Sequence, residues 1–564
     1  MFKGIGASAG IGIGTAVLVQ EPNLDYSHVT AGDAAEEKRR LADAVAGFIE
    51  KTRLMAQRME EEVGQHQAEI LLGQIIMIED PFMMEQMREM IAQGQCAEAA
   101  LDGVCQMYVE LFSGMEDELM RQRAADVRDM RTRILKQLLG QEELDLSALP
   151  STAVLVAKDL TPSMTAGLKR GSIAGILTEM GGTTSHSAIL ARTMELPAVL
   201  SAAGVMDGVK NGDTLVLDGE AGVAILNPDE TTVAKYKARQ EALRREKDAL
   251  KEYAGKPTVT ADGRGTALYG NIGTPQEAEL VMEVTGEGIG LFRTEFLFMD
   301  RDRLPTEEEQ FQAYRQVVET MRGREVIIRT LDVGGDKEIP YLGLEKEENP
   351  FLGFRAVRYC LEREDVFRPQ LRALLRASAF GDLKIMLPLV TRLEELRRSK
   401  ELIARLKEEL DREGISYRKD LKVGVMIETP AAAMIADLLA READFFSIGT
   451  NDLTQYVMAA DRGNRKVSDM GVPFQPAVLR AIAQVIRAGH EAGIPVGMCG
   501  EAAADPRMIP LLLAFGLDEF SVSPSAVLRS RKVIAQWSGE EAEKLKDRVM
   551  NCGTVEEVMA CLTE

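Results

Sequence analysis

Histidine is nearly absent: four occur among 564 residues. A centre built from clustered imidazoles therefore has almost nothing to draw on. Cysteine is scarce too. Cys96, Cys105, Cys360, Cys499, Cys552 and Cys561 are scattered, and none forms a C-x-x-C pair, which argues against zinc ribbons and thioredoxin-like motifs. No disulfide framework is visible, in keeping with a reducing cytoplasm. Positive charge is in deficit, with 67 Lys and Arg against 89 Asp and Glu and a net charge of -22. That field repels nucleic-acid phosphates and anionic membranes and suits a partner with a basic face. An anionic substrate needs a local cluster of arginine or a metal to overcome it. No apolar run approaches the roughly 18 residues of a membrane span. The N-terminal MFKGIGASAG has no apolar signal core. No Walker A motif is present, and GIGASAG spells G-x-G-x-x-x-G rather than the dinucleotide fingerprint. Nothing argues for ATP as a phosphate source.

What is present reads as a soluble multidomain chain, 45% apolar and 28% charged. Its length corresponds to roughly three or four domains. GIGIGTAVLVQ (Gly10–Gln20) reads as a short strand among glycines. From about Asp33 to Gly140, charged and apolar residues recur at helical spacing, with one proline, Pro81. Met77, Met83, Met84, Met87 and Met90 crowd one stretch of this block. They fit core filling, or an adaptable docking surface. β-type runs return at Ala153–Leu160, Gly175–Met180, Pro197–Ser201 and Thr214–Leu226, and the N-terminal strand is expected to join them, making the helical block an insertion. Pro228–Gly255, charged throughout, reads as an exposed linker helix with Pro at its head and Gly at its tail. After Lys256, eight short apolar runs alternate with helical patterns: Ala267–Gly273, Gly288–Phe296, Glu325–Gly335, Leu383–Val390, Val423–Pro430, Phe445–Asp452, Pro495–Glu501 and Glu519–Pro524. Eight units favour a closed (β/α)8 barrel over a doubly wound open sheet. The expected organisation is an α/β domain over 1–30 and 142–227, a helical insert over 31–141, a linker helix over 228–255 and the barrel over 256–564.

In a barrel, functional side chains gather where strands end. Those ends carry Arg293 and Glu295, then Arg329, Asp332 and Lys337, then Glu428, then Asn451 and Asp452, then Cys499 and Glu501. Arg355 and Arg358 lie in NPFLGFRAVR, and Arg462 in AADRGN. Converging arginines can grip carboxylate or phosphate with two hydrogen bonds each. Glu428 and Asp452 offer hard oxygens, and two carboxylates plus substrate oxygens commonly hold Mg2+. The plainer use of these carboxylates is to neutralise the arginines. Together the mouth suits a small polyanion with a divalent cation. Cys499, between glycines in GMCGE, is either a buried structural thiol or a proton donor to a carbanion-like carbon.

GGTTSHSAILAR (Gly181–Arg192) holds His186 at a glycine turn, behind a run of hydroxyls, where a helix is expected to start. A helix N-terminus disfavours an imidazolium and favours an added anion. The ring is therefore expected to stay neutral and nucleophilic, and a phosphoryl group transferred to it would be stabilised there. His28, His66 and His490 have no such setting.

GGTTSHSAILAR resembles the phosphohistidine motif of the phosphoenolpyruvate-utilising enzymes. LFRTEFLFMDR, IRTLDVGGDK, NPFLGFRAVR, IETPAA, SIGTNDLTQY, AADRGN and GMCGE resemble that family's successive barrel motifs, in order. The helical insert resembles that of the members that feed the bacterial sugar phosphotransferase system. The resemblance implies that His186 takes the phosphoryl group and that Arg293, Arg329, Asn451, Asp452 and Arg462 bind phosphoenolpyruvate. It implies Arg355 and Lys337 as a second tier, Glu428 and Asp452 as Mg2+ ligands, and Cys499 as the donor that turns the enol into pyruvate. It further implies transfer to the small histidine phosphocarrier HPr on the helical insert, and a homodimer formed through the barrel. One position departs: Thr183 stands where many members have arginine. Pyruvate phosphate dikinase and phosphoenolpyruvate synthase share both motif sets but add an ATP-binding domain, for which the start of this chain holds too little sequence. A non-catalytic regulator that binds phosphoenolpyruvate is the remaining alternative.

Overall fold

In IGIGTAVLV, glycines alternate with β-formers, and Ile11–Val19 is a nine-residue strand. The computed structural model describes residues 1–19, 24–62, 65–114, 118–141, 149–165, 168, 171–182, 185–299, 301, 303–334, 339–462, 464 and 466–563. The chain divides into two units, 1–247 and 248–564.

The first unit has one sheet of β1 (Phe2–Lys3), β2 (Ile5–Ser8), β3 (Ile11–Val19), β4 (Ala153–Ala157), β5 (Gly175–Thr178), β6 (Ala198–Leu200), β7 (Thr214–Asp218) and β8 (Val223–Leu226). Their order is β1-β8-β7-β3-β4-β5-β6-β2. β3, β4, β5 and β6 run parallel, which requires cover on both faces. β4, AVLVA, supplies it by alternation. Ala153, Leu155 and Ala157 pack with Ala188 and Leu190, while Val154 and Val156 pack with Leu177 and Leu217 on the other face.

Between β3 and β4 lie helices Ala34–Glu62, Gln65–Ile78, Pro81–Ala92, Ala97–Ser113 and Glu118–Leu138. Pro81 starts a helix rather than breaking one: Asp80 caps it, accepting from the amides of Phe82 and Met83. Met83 and Met87 are buried in the helical core, with Met77, Met84 and Met90 packed against it, so this methionine cluster is core filling. Glu98, fully buried, is held by Arg40, which also bonds Glu37 at 2.8 Å. Asp129 joins the helices to the sheet domain, accepting from Gln74 at 2.9 Å and from Ser163 at 2.6 Å.

The linker helix spans Glu230–Leu250, and no residue of it is buried. Its length through Lys247 is nevertheless fastened to the first unit. Arg239 bonds Asp218 and Glu220, Gln240 donates to the Ile11 carbonyl at 2.7 Å, and Lys247 pairs with Glu195. In the second unit, the buried Arg531 donates to the Tyr253 carbonyl at 3.0 Å and the Thr285 carbonyl at 2.7 Å.

The second unit is a closed parallel barrel of β9 (Ala267–Ile272), β10 (Ile289–Arg293), β11 (Val326–Arg329), β12 (Leu383–Leu387), β13 (Lys422–Ile427), β14 (Phe446–Ile448), β15 (Val496–Met498) and β16 (Glu519–Val522). β16 pairs with β9, which excludes the open sheet. Leu268, Ile289, Ile328, Ile385, Val425 and Phe520 face the surrounding helices. Leu291, Ile327, Met386, Met426, Phe445 and Cys499 cluster in the interior. The strands stop earlier than their apolar runs. β14 ends at Ile448, and Asn451 and Asp452 lie in the first turn of helix Thr450–Met458 rather than on the strand. Glu295 likewise lies in a short 3-10 turn, Thr294–Leu297, after β10. Propensity marks an apolar run, but the neighbouring strand decides where pairing ends. Among the described residues no helix is long and apolar enough to cross a membrane.

Candidate functional site

The strand ends of the barrel bring together two buried arginines and four buried carboxylates: Arg329, Arg355, Glu295, Asp332, Glu428 and Asp452. Arg329 is the last residue of β11. Its Nη2 donates to Glu295 at 2.6 Å and its Nη1 lies 3.0 Å from Asp332. Burial works against this charge, but Glu295, Asp332 and Glu428 outweigh it and raise the Arg329 pKa. Arg355 sits between Asp332, at 2.9 Å, and Asp452, at 3.2 Å, and its Nη1 donates to the Tyr456 hydroxyl at 3.3 Å. Neither Arg329 nor Arg355 finds a partner for its buried Nε.

Glu428 follows β13. Among the described residues it forms no direct ion pair with an arginine, although Arg329 and Arg355 attract its charge; its Oε1 accepts from the Leu389 amide at 2.6 Å. Burial, then Asp452 and Asp332, push its carboxyl up to about 8. Burial and neighbouring carboxylates hold Glu428 back from ionising, a strain that a divalent cation shared with Asp452 would relieve. Among the described residues no three His, Cys, Asp or Glu are arranged to hold a metal, so Glu428 and Asp452 need ligand oxygens to complete a shell. The donor set fits such an ion.

Around this core, Arg293 ends β10 half-buried. Arg462 keeps 43% side-chain exposure with Nη1 3.6 Å from Asp452. Asn451 lines an open cavity of about 820 Å3 with Thr450, Glu501 and Arg507. Arg358 does not join the cluster; it donates to the Leu352 and Gly353 carbonyls at 3.1 and 3.0 Å. Cys499 follows β15, 3% exposed. Burial pushes its thiol up to about 11, against the pull of the Ser447 hydroxyl and Arg329. It is therefore a protonated thiol at neutral pH, suited to giving a proton and poorly suited to nucleophilic attack. Lys337 lies outside the described residues.

In the first unit, Ser185 caps helix His186–Thr193, its side chain accepting from the Ala188 amide, so His186 is the first helical residue. Ser187 ties the same turn to Asp159 at 3.2 Å. Thr183 lies outside the described residues.

Three family models match in chain order. "PEP-utilising enzyme, N-terminal" covers residues 3–123, "PEP-utilising enzyme, mobile domain" covers 149–222, and "PEP-utilising enzyme, PEP-binding domain" covers 247–538.

The chain belongs to the phosphoenolpyruvate-utilising enzymes.

Among members of this family, it is 45% identical over 564 residues to the phosphoenolpyruvate-protein phosphotransferase of Bacillus subtilis (strain 168), covering 100% of this chain and 99% of the relative. The protein of that name from Geobacillus stearothermophilus is 46% identical over 560 residues, 99% of this chain and 97% of the relative. That from Staphylococcus carnosus (strain TM300) is 43% identical over 565 residues, covering 100% and 98%. In this phosphoenolpyruvate-utilising enzyme, the PEP-binding match spans all eight barrel strands and the arginine–carboxylate cluster.

Sequence reasoning missed three members of the neighbourhood. Tyr456, four residues after Asp452 and so on the same helix face, supports Arg355; the i, i+4 spacing in NDLTQY carries that signal. The Leu389 amide, which orients Glu428, and Ser447, beside Cys499, carry no local signal.

Proposed function

We propose that this chain is a phosphoenolpyruvate–protein phosphotransferase. It moves the phosphoryl group of phosphoenolpyruvate to its own His186, and then to a histidine of the phosphocarrier HPr, releasing pyruvate as the first step of the sugar phosphotransferase system. The observation that carries this reading is the buried cluster of Arg329, Arg355, Asp332, Asp452 and Glu428 at the barrel's strand ends. Full-length relatives bearing that enzyme's name support it.

Arg293, Arg329 and Arg462, with Asn451 and Asp452, bind the substrate's carboxylate and phosphate. Arg355 positions Asp452 and Asp332. Glu428 and Asp452 would hold Mg2+, which supplies neutralisation of substrate negative charge. His186 attacks phosphorus; the P–O bond to the enol breaks and an N–P bond forms, with the helix start stabilising the added anion. Cys499 then gives its proton to C3 of the enolate, producing the stable ketone pyruvate.

His186 serves two sites, the barrel mouth and the carrier, so its unit swivels. The linker helix is fastened to the first unit through Lys247, and Arg531 holds Tyr253 in the second. The pivot is therefore assigned to residues 248–252. HPr docks on the helical insert, and the barrel forms a homodimer. Six cysteines present as free thiols support a cytoplasmic location.

The test is labelling with 32P-phosphoenolpyruvate and Mg2+. Wild type is expected to become labelled and to pass the label to purified HPr, and His186→Ala to stay unlabelled. Labelling of His186→Ala, or label that never leaves the wild-type chain when HPr is added, would contradict the reading.

A further inference from the structure

The chain ends in two helices of unequal hold. Ser538 caps Gly539–Val549, its hydroxyl accepting from the Glu541 amide, and Ala542, Leu545 and Val549 bury that helix in the core around the barrel. The last helix, Val555–Thr563, buries Val558, while Val555, Met559 and Leu562 pack against the same core only in part. A terminal helix so lightly packed belongs to the segments that open first. Its place is nevertheless significant. Val555, Glu556 and Met559 form one wall of the open cavity of about 820 Å3 that Thr450 and Asn451 also line.

Two cysteines span the turn between these helices. Cys552, buried, follows the first; Cys561, half-exposed, lies in the last turn of the second. The turn is fixed by bonds that need no sulphur. The Cys552 amide donates to the Val549 carbonyl at 3.0 Å, and the Gly553 amide donates to the Glu557 carboxylate at 2.7 Å. Within it the two sulphurs face each other at 3.8 Å, and Cys552 Sγ lies 3.5 Å from the Arg548 carbonyl. An S–S bond is about 2.04 Å long, so the sulphurs need to close by less than about 2 Å, which lies within reach of side-chain rotation. Cys96, Cys105, Cys360 and Cys499 are buried, and among the described residues no other two thiols are in contact.

We propose that Cys552 and Cys561 are a reversible disulfide site, oxidised by small disulfides such as oxidised glutathione, and that the bond staples helix Val555–Thr563 to the firmly held helix before it. In a reducing compartment both cysteines rest as thiols. The half-exposed Cys561 meets the oxidant first. Its thiolate attacks one sulphur of the small disulfide, whose S–S bond breaks and releases one small thiol. Cys552 then attacks the Cys561 sulphur and expels the second. The protein loses two electrons and two protons, and the oxidant gains both and leaves as two thiols. The staple acts by restricting the opened helix, since the closed one already holds the sulphurs together. One wall of the cavity beside Asn451 is thereby made less mobile when small disulfides accumulate. The site uses neither His186 nor Cys499, so it stands independently of the proposed phosphoryl transfer.

Oxidised glutathione is the probe, applied to the full-length protein and followed by alkylation and tryptic mass spectrometry. One peptide, Val549–Glu564, holds both sulphurs. In wild type this peptide is expected to lose two hydrogens, the internal bond exceeding the glutathione adduct about tenfold or more, with dithiothreitol restoring both thiols. Cys552→Ser is expected to stop at a glutathione adduct on Cys561. A wild-type peptide that stops at the same adduct, or that gains neither adduct nor bond, overturns the site. Amide hydrogen exchange reads the staple. Over Val555–Thr563 it is expected to slow about tenfold or more in oxidised wild type, and to be unchanged by the same treatment in Cys552→Ser. Equally fast exchange in oxidised and reduced wild type sinks the staple even where the bond forms.

Discussion

Arg355 Nη2 lies 3.2 Å from Asp452 Oδ2, joining two segments 97 residues apart. The same nitrogen bonds Asp332 at 2.9 Å, so one guanidinium fastens the loop after β11 to the helix after β14. Asp452 is thereby shared between an arginine and the cation site proposed above.

Removing that guanidinium leaves two buried carboxylates short of a partner. Arg355→Met is expected to cost about 3 kcal/mol of stability and to lower kcat/KM for phosphoenolpyruvate about 100-fold. Arg355→Lys restores charge but not the fork, so it recovers stability better than turnover. Calorimetric melting and initial labelling rates at low substrate check both. Wild-type kcat/KM in Arg355→Met would remove this residue from the site.

Glu428 couples metal to protons. Its carboxyl is raised from 4.5 to about 8 in the fold, by burial first. The folded metal-free protein therefore holds a proton that the unfolded chain has lost between those values. This group's contribution to stability is full below the unfolded value and is lost as pH rises through about 8. Mg2+ binding at pH 7 should expel that proton. Titration calorimetry in buffers of different ionisation heat is expected to show net proton release in wild type and none in Glu428→Gln.

The buried Cys499 thiol, raised to about 11, should resist alkylation at neutral pH. Its iodoacetamide rate, followed by peptide mass spectrometry, is expected to climb with pH past 9, well behind that of the half-exposed Cys561. Fast, pH-independent modification would mean that Cys499 is a thiolate, unfit to donate a proton.

A pivot confined to 248–252 has a kinetic consequence. A crosslink that fixes the histidine-bearing unit on the barrel should spare self-phosphorylation and abolish transfer to HPr. Rapid-quench labelling reads the two steps separately, and equal rates for both in the locked protein would rule out the swivel.

Local features proved readable from residues alone. A capping serine before His186 and a proline at the start of Pro81–Ala92 act within one helical turn, so their consequences appear in the string of letters. Arg329, Glu428 and Cys499 could be placed near strand ends because apolar runs mark strands, although the strands are shorter than the runs. The pairing of Arg355 with Asp332 and Asp452 could not be read, since those charges meet only when the barrel closes. The linker helix read as exposed from its charge, and none of its residues is buried, but its fastening through Arg239, Gln240 and Lys247 left no local signal.

The amino-acid order by itself determined the eight-unit rhythm, the helical insertion and the hydroxyl-capped histidine, because periodicity and capping depend on neighbours a few residues away. Tertiary structure alone decided which arginine faces which carboxylate and which carboxyl is stripped of water. Those properties depend on residues hundreds of positions apart sharing one enclosed volume, where burial and neighbouring charge set the behaviour of each ionisable group.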